Sequence, residues 1–568
     1  MNDEIRELAL KNALSHGGKA EQKAVISKLL GGNASLRSRA KEIIPSVISI
    51  VKEVNALTPE KQREEVERID PAFFNTEKKV KRTGLPELPG AEPGKVITRL
   101  PPEPNGYPHI GHGLSFFFNY YYAEKYHGKA ILRFDDTNPK AEKLEYYKAI
   151  EEDLRWLKLD WERIHHMSDD MDLYYRYARE LIAGGNAYVC DCPQEKVSKL
   201  RFEGKTCGCA SNTPERNMEL WEQLFDAPEG KMVLRLKGKT DSKNTAMRDP
   251  TICRVIDCPH PLHADKYRVW PVYDFACAIE DSVLGITHVL RSNEFALRIE
   301  LQDYIRGLLG LRDPVTLQYS RFSIRGSPTA KRLIRPLIED GTASGWDDPR
   351  LVTLRGLRRR GIVPETVHEL AKEMGLSTAE PVIDWSLVES INRKIIDPTT
   401  KRFFFVKDPV DVMIDGLGSL DVELRMHPTA DMGTRAVHVD GAVKIASSDA
   451  SDLSEGDILR LKDLCNIRII SIGRGGISAA VHEEEVDLRD LRKVQWVGTS
   501  PVPVDVLVAQ PIIVDDEINR DSLHVESGVA EQPLLDAELG EIVQFERYGF
   551  VRIDTKENGC ISVVYSHR

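Results

Sequence analysis

The 568-residue chain contains no apolar run approaching the ~18 residues that a bilayer crossing requires. Its first residues, MNDEIRELALKNAL, lack the basic stretch and apolar core of a secretory leader. Together these absences lead us to expect a cytoplasmic protein with no membrane partner. Cysteine is scarce, nine in all and unevenly spaced, which excludes a disulfide framework and fits a reducing compartment. Positive charge is also short: 78 Lys and Arg face 89 Asp and Glu, for a net charge of −11. A nucleic-acid surface needs the opposite balance, so the average speaks mildly against such a partner. Only a local track could reverse that, and two short runs exist, LRGLRRRG at 354–361 and KKVKR at 78–82. For runs this short a solvated helix face is the simpler expectation.

With 41% hydrophobic and 29% charged residues, the chain has the composition of a folded protein of several domains. Residues 1–70 read as amphipathic helices broken at Gly17–Gly18 and at GGN 31–33, with a further start at TPEK 58–61, where a threonine cap precedes proline. The Pro/Gly-rich TGLPELPGAEPG (83–94) has linker composition. From 95 onward, KVITRL, a helix over about 111–127, KAILRF (129–134) and a long helix through EYYKAIEEDLRWLKL alternate as in a parallel doubly wound sheet. The pattern turns irregular after NAYVCDC, as an inserted domain would make it, and resumes with VWPVYDFACAIEDSVLGITHVL (269–290). Residues 346–394 are helical in pattern. Beyond 400, short β-branched runs such as RIISI, VDVLVA and ISVVY indicate barrels or a sandwich. The expected divisions are 1–85 (helical appendage), 86–94 (linker), 95–183 and 269–345 (two halves of a Rossmann-like domain), 184–268 (insertion), 346–398 (helical) and 399–568 (two β-barrels).

Within this frame, PPEPNGYPHIGHG (101–113) stands between the first strand and the helix that follows it. A strand ending in a broken turn and leading into a helix presents free N–H groups to a phosphate. His109 and His112, one turn apart, would then both face a nucleotide; taken alone, two histidines in a surface turn would be solvated side chains. Cys190, Cys192, Cys207 and Cys209 form C-x-C-x14-C-x-C, close to a closed tetrahedral zinc site with no position left for catalysis, with buried free thiols as the alternative. CPHPLH (258–263) reads better as a rigid loop than as a further ligand source.

Taken in order, PPEPNGYPHIGHG, LRFDDTNP (132–139), YDFACAIEDSVLGITHVLR (273–291), TAKR (329–332) and GWDDPRLVTLRGLRRRG (345–361) resemble the class I aminoacyl-tRNA synthetases of the glutamyl/glutaminyl branch, in their archaeal and eukaryotic form. The similarity runs from about 95 to the C-terminus. It implies ATP-dependent activation of an amino acid and transfer to tRNA, with ATP and Mg2+ as companions; a structural Zn2+ rests on the cysteine spacing alone, with buried thiols still the alternative, and a monomer is expected. By that resemblance Pro108, His109, Gly111, His112 and Lys331 bind ATP, and His109, His112, Lys331 and Arg332 carry the catalysis. Arg99, Asp135, Tyr273, Cys277 and Arg291 line the amino-acid pocket. The inserted domain contacts the acceptor end, and the helical and β regions read the inner stem and anticodon. The chain departs from the pattern at Ala330, where serine usually precedes the lysine, and at Pro108, where leucine is usual; Thr329 and Ser327 stand nearby.

Arg291, 18 residues after Tyr273, is arginine in the glutamyl branch and is lacking in glutaminyl enzymes. A guanidinium has only donors: it pairs with a carboxylate but meets the NH2 of an amide donor to donor. L-Glutamate and tRNA(Glu) are therefore the expected substrates, with charging of tRNA(Gln) open. The rival readings are a glutaminyl-tRNA synthetase, which Arg291 disfavours, and a catalytically silent RNA-binding paralogue, for which Ala330 is the only support.

Overall fold

The computed structural model describes residues 2–15, 18–32, 40–70, 84–483 and 491–568. KKVKR (78–82), Gly17 of the first glycine pair and Asn33 of GGN lie outside them. No described helix is long and apolar enough to cross a membrane. Two compact units are present, Met1–Leu85 and Pro86–Arg568.

Among the described residues the first unit contains four helices, α1 (Asn2–Ser15), α2 (Gln22–Gly32), α3 (Ala40–Asn55) and α4 (Pro59–Ile69). Ile5, Ala9, Leu10 and Ala13 of α1 share an apolar core with Val25 and Leu29 of α2, Val47, Val51 and Val54 of α3 and Val66 of α4. The threonine cap behaves as the sequence indicates, Thr58 Oγ1 accepting the Lys61 N–H at the start of α4. Gln62, fully buried, donates through Nε2 to the carbonyls of Gly18 and Val54, while its Oε1 has no hydrogen-bond partner among the described residues.

In the second unit, β1 (Ile97–Leu100), α5 (Ile110–Lys125), β2 (Lys129–Phe134), α6 (Leu144–Trp156) and β3 (Arg163–His166) form a parallel layer ordered β1-β2-β3. Helix α7 (Met171–Ala183) leads into the insertion, an antiparallel sheet of β4 (Ala187–Cys190), β5 (Val233–Leu236), β6 (Thr251–Val255) and β7 (Val269–Pro271), with α8 (Gln194–Phe202) and α9 (Pro214–Leu224). The chain returns through α10 (Tyr273–Val283), β8 (His288–Ser292), α11 (Ala296–Leu309) and β9 (Val315–Tyr319). Strand β8 lies along the other edge of β1: the Ile97 N–H donates to Thr287 Oγ1 at 2.8 Å and the Thr287 N–H to the Ile97 carbonyl at 2.9 Å. The β1-β2-β3 and β8-β9 sheets thus lie side by side as β3-β2-β1-β8-β9, and the order of winding reverses between β1 and β8, where doubly wound sheets open a crevice for ligands.

The segment of linker composition is firmly docked. Tyr122 donates to the Pro86 carbonyl at 2.7 Å and Tyr126 accepts the Leu88 N–H at 3.0 Å, with Leu88 buried.

Beyond β9, β10 (Ser323–Ile324) pairs with β11 (Val382–Ile383), and between them run α12 (Lys331–Glu339), α13 (Leu354–Arg359) and α14 (Pro364–Met374); α15 (Trp385–Ile396) follows. The arginine run on and after α13 is consumed in ion pairs rather than left as a solvated face. Arg355 pairs with Glu152 (2.6 Å), Arg359 with Asp554 (2.8 Å) and Arg360 with Glu389 (3.0 Å), while Arg358 remains exposed. The expectation of a solvated helix face therefore fails for these three: each meets a carboxylate on another element and joins α13 to α6, to the C-terminal strands and to α15.

The C-terminal region holds two nearly closed barrels. One is a seven-stranded sheet whose edge strands, Arg402–Phe403 and Phe405–Lys407, are successive parts of one segment, so residues 402–407 close the sheet on itself. The other has six strands, its edge at Ala442–Ala446 meeting the opposite end through paired Lys444–Val497 hydrogen bonds (2.9 and 3.0 Å). At the seam of the first barrel Glu531 accepts from Arg435 at 2.7 and 2.8 Å and from the Phe404 N–H, with both side chains buried. Removing one member strands the other charge without water, so Glu531→Ala is expected to cost about 3–5 kcal/mol of C-terminal stability. Urea unfolding followed by the fluorescence of buried Trp496, 6.0 Å from the Phe404 ring, tests this. A loss below about 1 kcal/mol, as for an exposed pair, would mean that this ion pair does not hold the seam.

Candidate active site

The two histidines first serve the helix that carries them. His109 is the N-cap of α5, its Nδ1 accepting the Gly111 N–H at 3.0 Å, and His112 Nδ1 accepts the His109 N–H at 3.2 Å. This reciprocal pairing is a capping box built from imidazoles. Because each Nδ1 accepts, each neutral ring carries its proton on Nε2 and has one donor to spare. Burial, with the charge of Lys331 adding to it, holds His109 down at about 4; burial, His109 and Lys331 hold His112 well below its ordinary value. Both rings are neutral at pH 7, their centroids 3.9 Å apart. Gly111 is required here because a Cβ would fall 2.8 Å from Cε1 of His109. Backbone bonds to the 352–354 segment pin the turn: the Ile110 N–H donates to the Val352 carbonyl at 2.8 Å and the Leu354 N–H to the Pro108 carbonyl at 2.9 Å.

Lys331 opens α12 and is brought to the same place. Its Nζ donates to Asn105 Oδ1, and a Cβ on Gly106 would fall 2.6 Å from Lys331 Cε, so the side chain crosses where the Asn-Gly turn has no bulk. Burial lowers its pKa. Ala330 caps α12 without any side-chain bond, and Ser327 Oγ is engaged by Trp385 Nε1 at 3.0 Å, so it supplies no substitute loop hydroxyl. Arg332 is exposed.

On the other side of β1 lies a buried charge network centred on Asp281 of α10. Asp281 Oδ1 accepts from Arg133 Nη1 at 2.6 Å and Arg99 Nε at 3.2 Å, while Cys277 Sγ stands 3.5 Å from Oδ2. Burial alone would raise this carboxyl, but Arg133 and Arg99 outweigh it and hold the pKa far below the usual range. Arg133, fully buried, also donates to Asp135 at 2.8 and 3.4 Å. Arg99, Asp135 and Cys277 are thus brought together as the motifs suggest, through two residues that motif reading missed, Arg133 and Asp281. Both lie inside the quoted blocks LRFDDTNP and YDFACAIEDSVLGITHVLR, with nothing in the local pattern to single them out.

Tyr273 and Arg291 form the remaining wall. Arg291 Nη2 donates to the Tyr273 hydroxyl at 3.0 Å and Nη1 to Gln302 Oε1 at 2.8 Å, and its plane lies 4.6 Å from the Phe295 ring centre. Arg291 is 5% exposed, its Nε has no partner, and no carboxylate among the described residues lies within ion-pair distance. Arg99 and Arg133 are neutralised by acids; Arg291 is not. Three guanidiniums against the two carboxylates of Asp135 and Asp281 leave this cluster one positive charge in excess.

The four cysteines converge. Cys190 at the end of β4 lies 3.6 Å, sulfur to sulfur, from Cys207, and Cys192 the same distance from Cys209, with all four sulfurs within 4.8 Å of one another. CPHPLH does not join them: His260, buried, sits 2.9 Å from Glu142 and 3.1 Å from the Asp136 carbonyl, and His263 meets Ser168 Oγ at 3.1 Å. The loop is fastened to the turn after β2, as a rigid loop would be.

A parallel α/β sheet, with a histidine-capped helix after its first strand and Lys331 beside the preceding turn, is the architecture of an α/β enzyme. Residues 95–398 match the family described as tRNA synthetases class I (E and Q), catalytic domain, and 400–488 and 493–554 match two families described as their anti-codon binding domain. The chain belongs to the class I (E and Q) tRNA synthetases. It is 40% identical over 568 residues to a glutamate–tRNA ligase of Nitrosopumilus maritimus, covering 100% of this chain and 99% of that protein. It is 42% identical over 583 residues to that of Thermococcus kodakarensis, covering all of both. A crystal structure of a glutamate tRNA ligase from Elizabethkingia meningosepticum in complex with its amino acid is 18% identical, covers 54% of this chain and 70% of that one, and has a TM-score of 0.42.

A second buried ion cluster backs the pocket and gives a pH test. His165 Nε2 lies 3.0 Å from Glu280 and 3.1 Å from Asp170, and Tyr174 donates to Glu280 at 2.7 Å. Burial pulls His165 down, but the two carboxylates outweigh it and raise its pKa to about 9. With the folded value above the unfolded ~6.5, its stabilisation is complete below that pH and lost as pH rises through about 9. Thermal unfolding of the parent and His165→Gln should therefore differ most near pH 6 and converge above pH 9. A gap constant with pH would show that His165 is neutral in the folded protein.

Proposed function

We propose that the chain is a glutamate–tRNA ligase that activates L-glutamate with ATP and transfers it to tRNA(Glu). The observation that carries the choice of amino acid is Arg291, a buried guanidinium held by neutral partners and left without a carboxylate of its own. Glutamate carries one negative charge more than glutamine, which matches the one positive charge in excess around Asp281. The names and full-length similarity of the archaeal relatives support the same reading.

In the first step the α-carboxylate of glutamate attacks the α-phosphate of ATP, giving glutamyl-adenylate and pyrophosphate. Charge develops on phosphate oxygens, and the work of the protein is to place donors there beforehand. His109 and His112, neutral with Nε2–H to spare, donate at the positive end of α5, and Lys331 neutralises the departing pyrophosphate. Magnesium, bound with the nucleotide, supplies further charge neutralisation. Arg99 and Asp135 fix the parts common to both amino acids, Tyr273 and Cys277 line the pocket, and Arg332, exposed beside Lys331 at the start of α12, meets phosphate. A ribose hydroxyl of the terminal adenosine then takes the glutamyl group. The insertion would hold the acceptor end and the helical and barrel regions the inner stem and anticodon, the protein acting as a cytoplasmic monomer. A glutaminyl enzyme is disfavoured by Arg291. A silent paralogue rests on Ala330 alone, against which Lys331 is in place beside Asn105 and the histidines.

Arg291→Cys is expected to lower kcat/KM for glutamate by roughly 10- to 150-fold, the cost of a charge-assisted hydrogen bond of about 1.5–3 kcal/mol. Glutamine should change less, because a pocket freed of a clash still lacks an acceptor for its NH2. Aminoacylation of tRNA(Glu) and tRNA(Gln) transcripts with each amino acid measures this and decides whether tRNA(Gln) is also charged. Parental glutamate kinetics in the variant would remove Arg291 from the side-chain pocket.

The four thiols fit zinc. Bonds of about 2.3 Å to a tetrahedral ion put sulfurs about 3.8 Å apart, close to the 3.6 Å separations of the two pairs. Cys190, Cys192, Cys207 and Cys209 would hold it, and the ion would fasten β4 to the 207–211 turn. One zinc per chain is expected from metal analysis of protein purified without added metal, lost in the Cys190→Ser/Cys207→Ser double variant. A content near zero in the parent would leave buried thiols as the answer.

A further inference from the structure

The way Arg291 is held carries more than its presence does. Gln302 on α11 is 2% exposed, and its two amide atoms point at opposite charges. Its Oε1 accepts from Arg291 Nη1 at 2.8 Å, and its Nε2 donates to Asp274 Oδ1 at 3.2 Å. Asp274 is buried at the start of α10, and its second oxygen is taken by Arg298. A line of alternating groups results: the Arg298 cation, the Asp274 anion, a neutral amide, the Arg291 cation. The amide has two orientations available in principle, and only one is compatible with this line. With the NH2 towards Asp274 both contacts are donor to acceptor; flipped, both are mismatched, donor facing Arg291 and acceptor facing Asp274 with no water to relieve either. Asp274 thereby fixes which face of Gln302 Arg291 meets.

From this we infer that Gln302 is a specificity-determining positioning residue, the neutral spacer that tethers Arg291 while keeping the Asp274 carboxylate from neutralising it. The inference rests on the reading of Arg291 given above. A tether is needed because an arginine side chain free to rotate would lose much of its directional preference for a carboxylate. A neutral one is needed because a carboxylate at the same place would satisfy Arg291 from within the protein. The site would then present no excess positive charge, and glutamate and glutamine would differ far less in what they gain on binding. Tyr273, the other partner of Arg291, is neutral in the same way: its hydroxyl accepts at 3.0 Å, and burial raises its pKa, so it stays un-ionised. Both groups that grip the guanidinium are therefore uncharged acceptors, although Asp274 stands next to Tyr273 in the chain and touches the far side of the Gln302 amide.

The test is the near-isosteric Gln302→Glu, with Gln302→Met as a second variant, Arg291→Cys in parallel, and kcat/KM for glutamate and for glutamine measured on one tRNA(Glu) transcript. Gln302→Glu supplies the carboxylate that the pocket avoids, so glutamate should fall roughly 10- to 150-fold while glutamine changes by less than about threefold, narrowing the ratio between them. Gln302→Met keeps the shape but not the tether, so KM for glutamate should rise roughly 5- to 10-fold with glutamine nearly unchanged and KM for ATP as in the parent. The carboxylate introduced by Gln302→Glu also faces Asp274, and if that variant does not fold the methionine variant decides alone. Equal losses for both amino acids in the variants that fold would make Gln302 a packing residue and overturn the inference. If instead Arg291→Cys retains parental glutamate kinetics, the reading of Arg291 itself fails, a result distinguishable from failure at Gln302 alone.

Discussion

Asp281 is the point on which the pocket turns. Two guanidiniums, Arg99 on β1 and Arg133 on β2, are buried side by side on neighbouring strands, and neither could stay there without an anion between them. Asp281 supplies it from α10 and in doing so fixes the rotation of that helix against the sheet. Once that rotation is fixed, Tyr273 and Cys277, two turns and one turn earlier, must face the same space, since residues four apart share a helix face. Glu280, next in line, faces His165, whose strand position is opposite Arg133 in the β2–β3 register. Two consecutive acids of α10 thus meet two adjacent strand residues, and the helix has little freedom to slide or turn. A neutral residue at 281 would leave buried Arg99 without its carboxylate and Arg133 with Asp135 alone.

Much of this was legible in the sequence, for reasons that differ by region. The β1–α5–β2 unit announces itself because a buried parallel strand is a continuous apolar run and the turn after it is marked by Pro and Gly. The cysteines were legible because thiolate spacing is a strong local signal. Strand β3 escaped because RIHH is a half-exposed edge with polar residues on both faces. The hairpin of Ser419–Arg425 and Thr434–Asp440 escaped for a related reason: SLDVELR and TRAVHVD bury only alternate positions, so their apolar content is too low to stand out. Arg133 and Asp281 were invisible for a deeper reason. A buried ion network is a property of tertiary pairing, 148 residues apart in this case, and no local pattern distinguishes such an arginine from one that faces water.

The arginines of 354–361 show the same limit from the other side. Read locally they are a basic stripe, either solvated or meant for a phosphate backbone. In place Arg355, Arg359 and Arg360 are cross-braces, each spending its charge on a carboxylate of a different element, while Arg358 stays exposed. This also bears on the net charge of −11: when so many of the basic residues are paired internally, the overall balance says little about any one face. Arg359–Asp554 ties the barrel region to α13, and Ile512 shares a buried apolar cluster with Ile334 and Leu337 of α12, the helix that Lys331 begins.

The histidine pair unites fold and chemistry in the same atoms. A helix that must begin at a phosphate site needs its first N–H groups partly free for the ligand, yet an uncapped start is costly. Serine or aspartate would cap it, but the first offers a weaker donor and the second a charge that repels phosphate. An imidazole resolves the conflict because its two nitrogens can do opposite things: Nδ1 accepts from the backbone, which requires that nitrogen to be unprotonated, and the proton is thereby directed to Nε2, where a phosphate oxygen can use it. The low pKa of both rings follows from the same burial that makes the cap effective. Capping therefore sets the tautomer, and the tautomer sets the donor, so in either histidine the capping bond and the free Nε2–H belong to one ring.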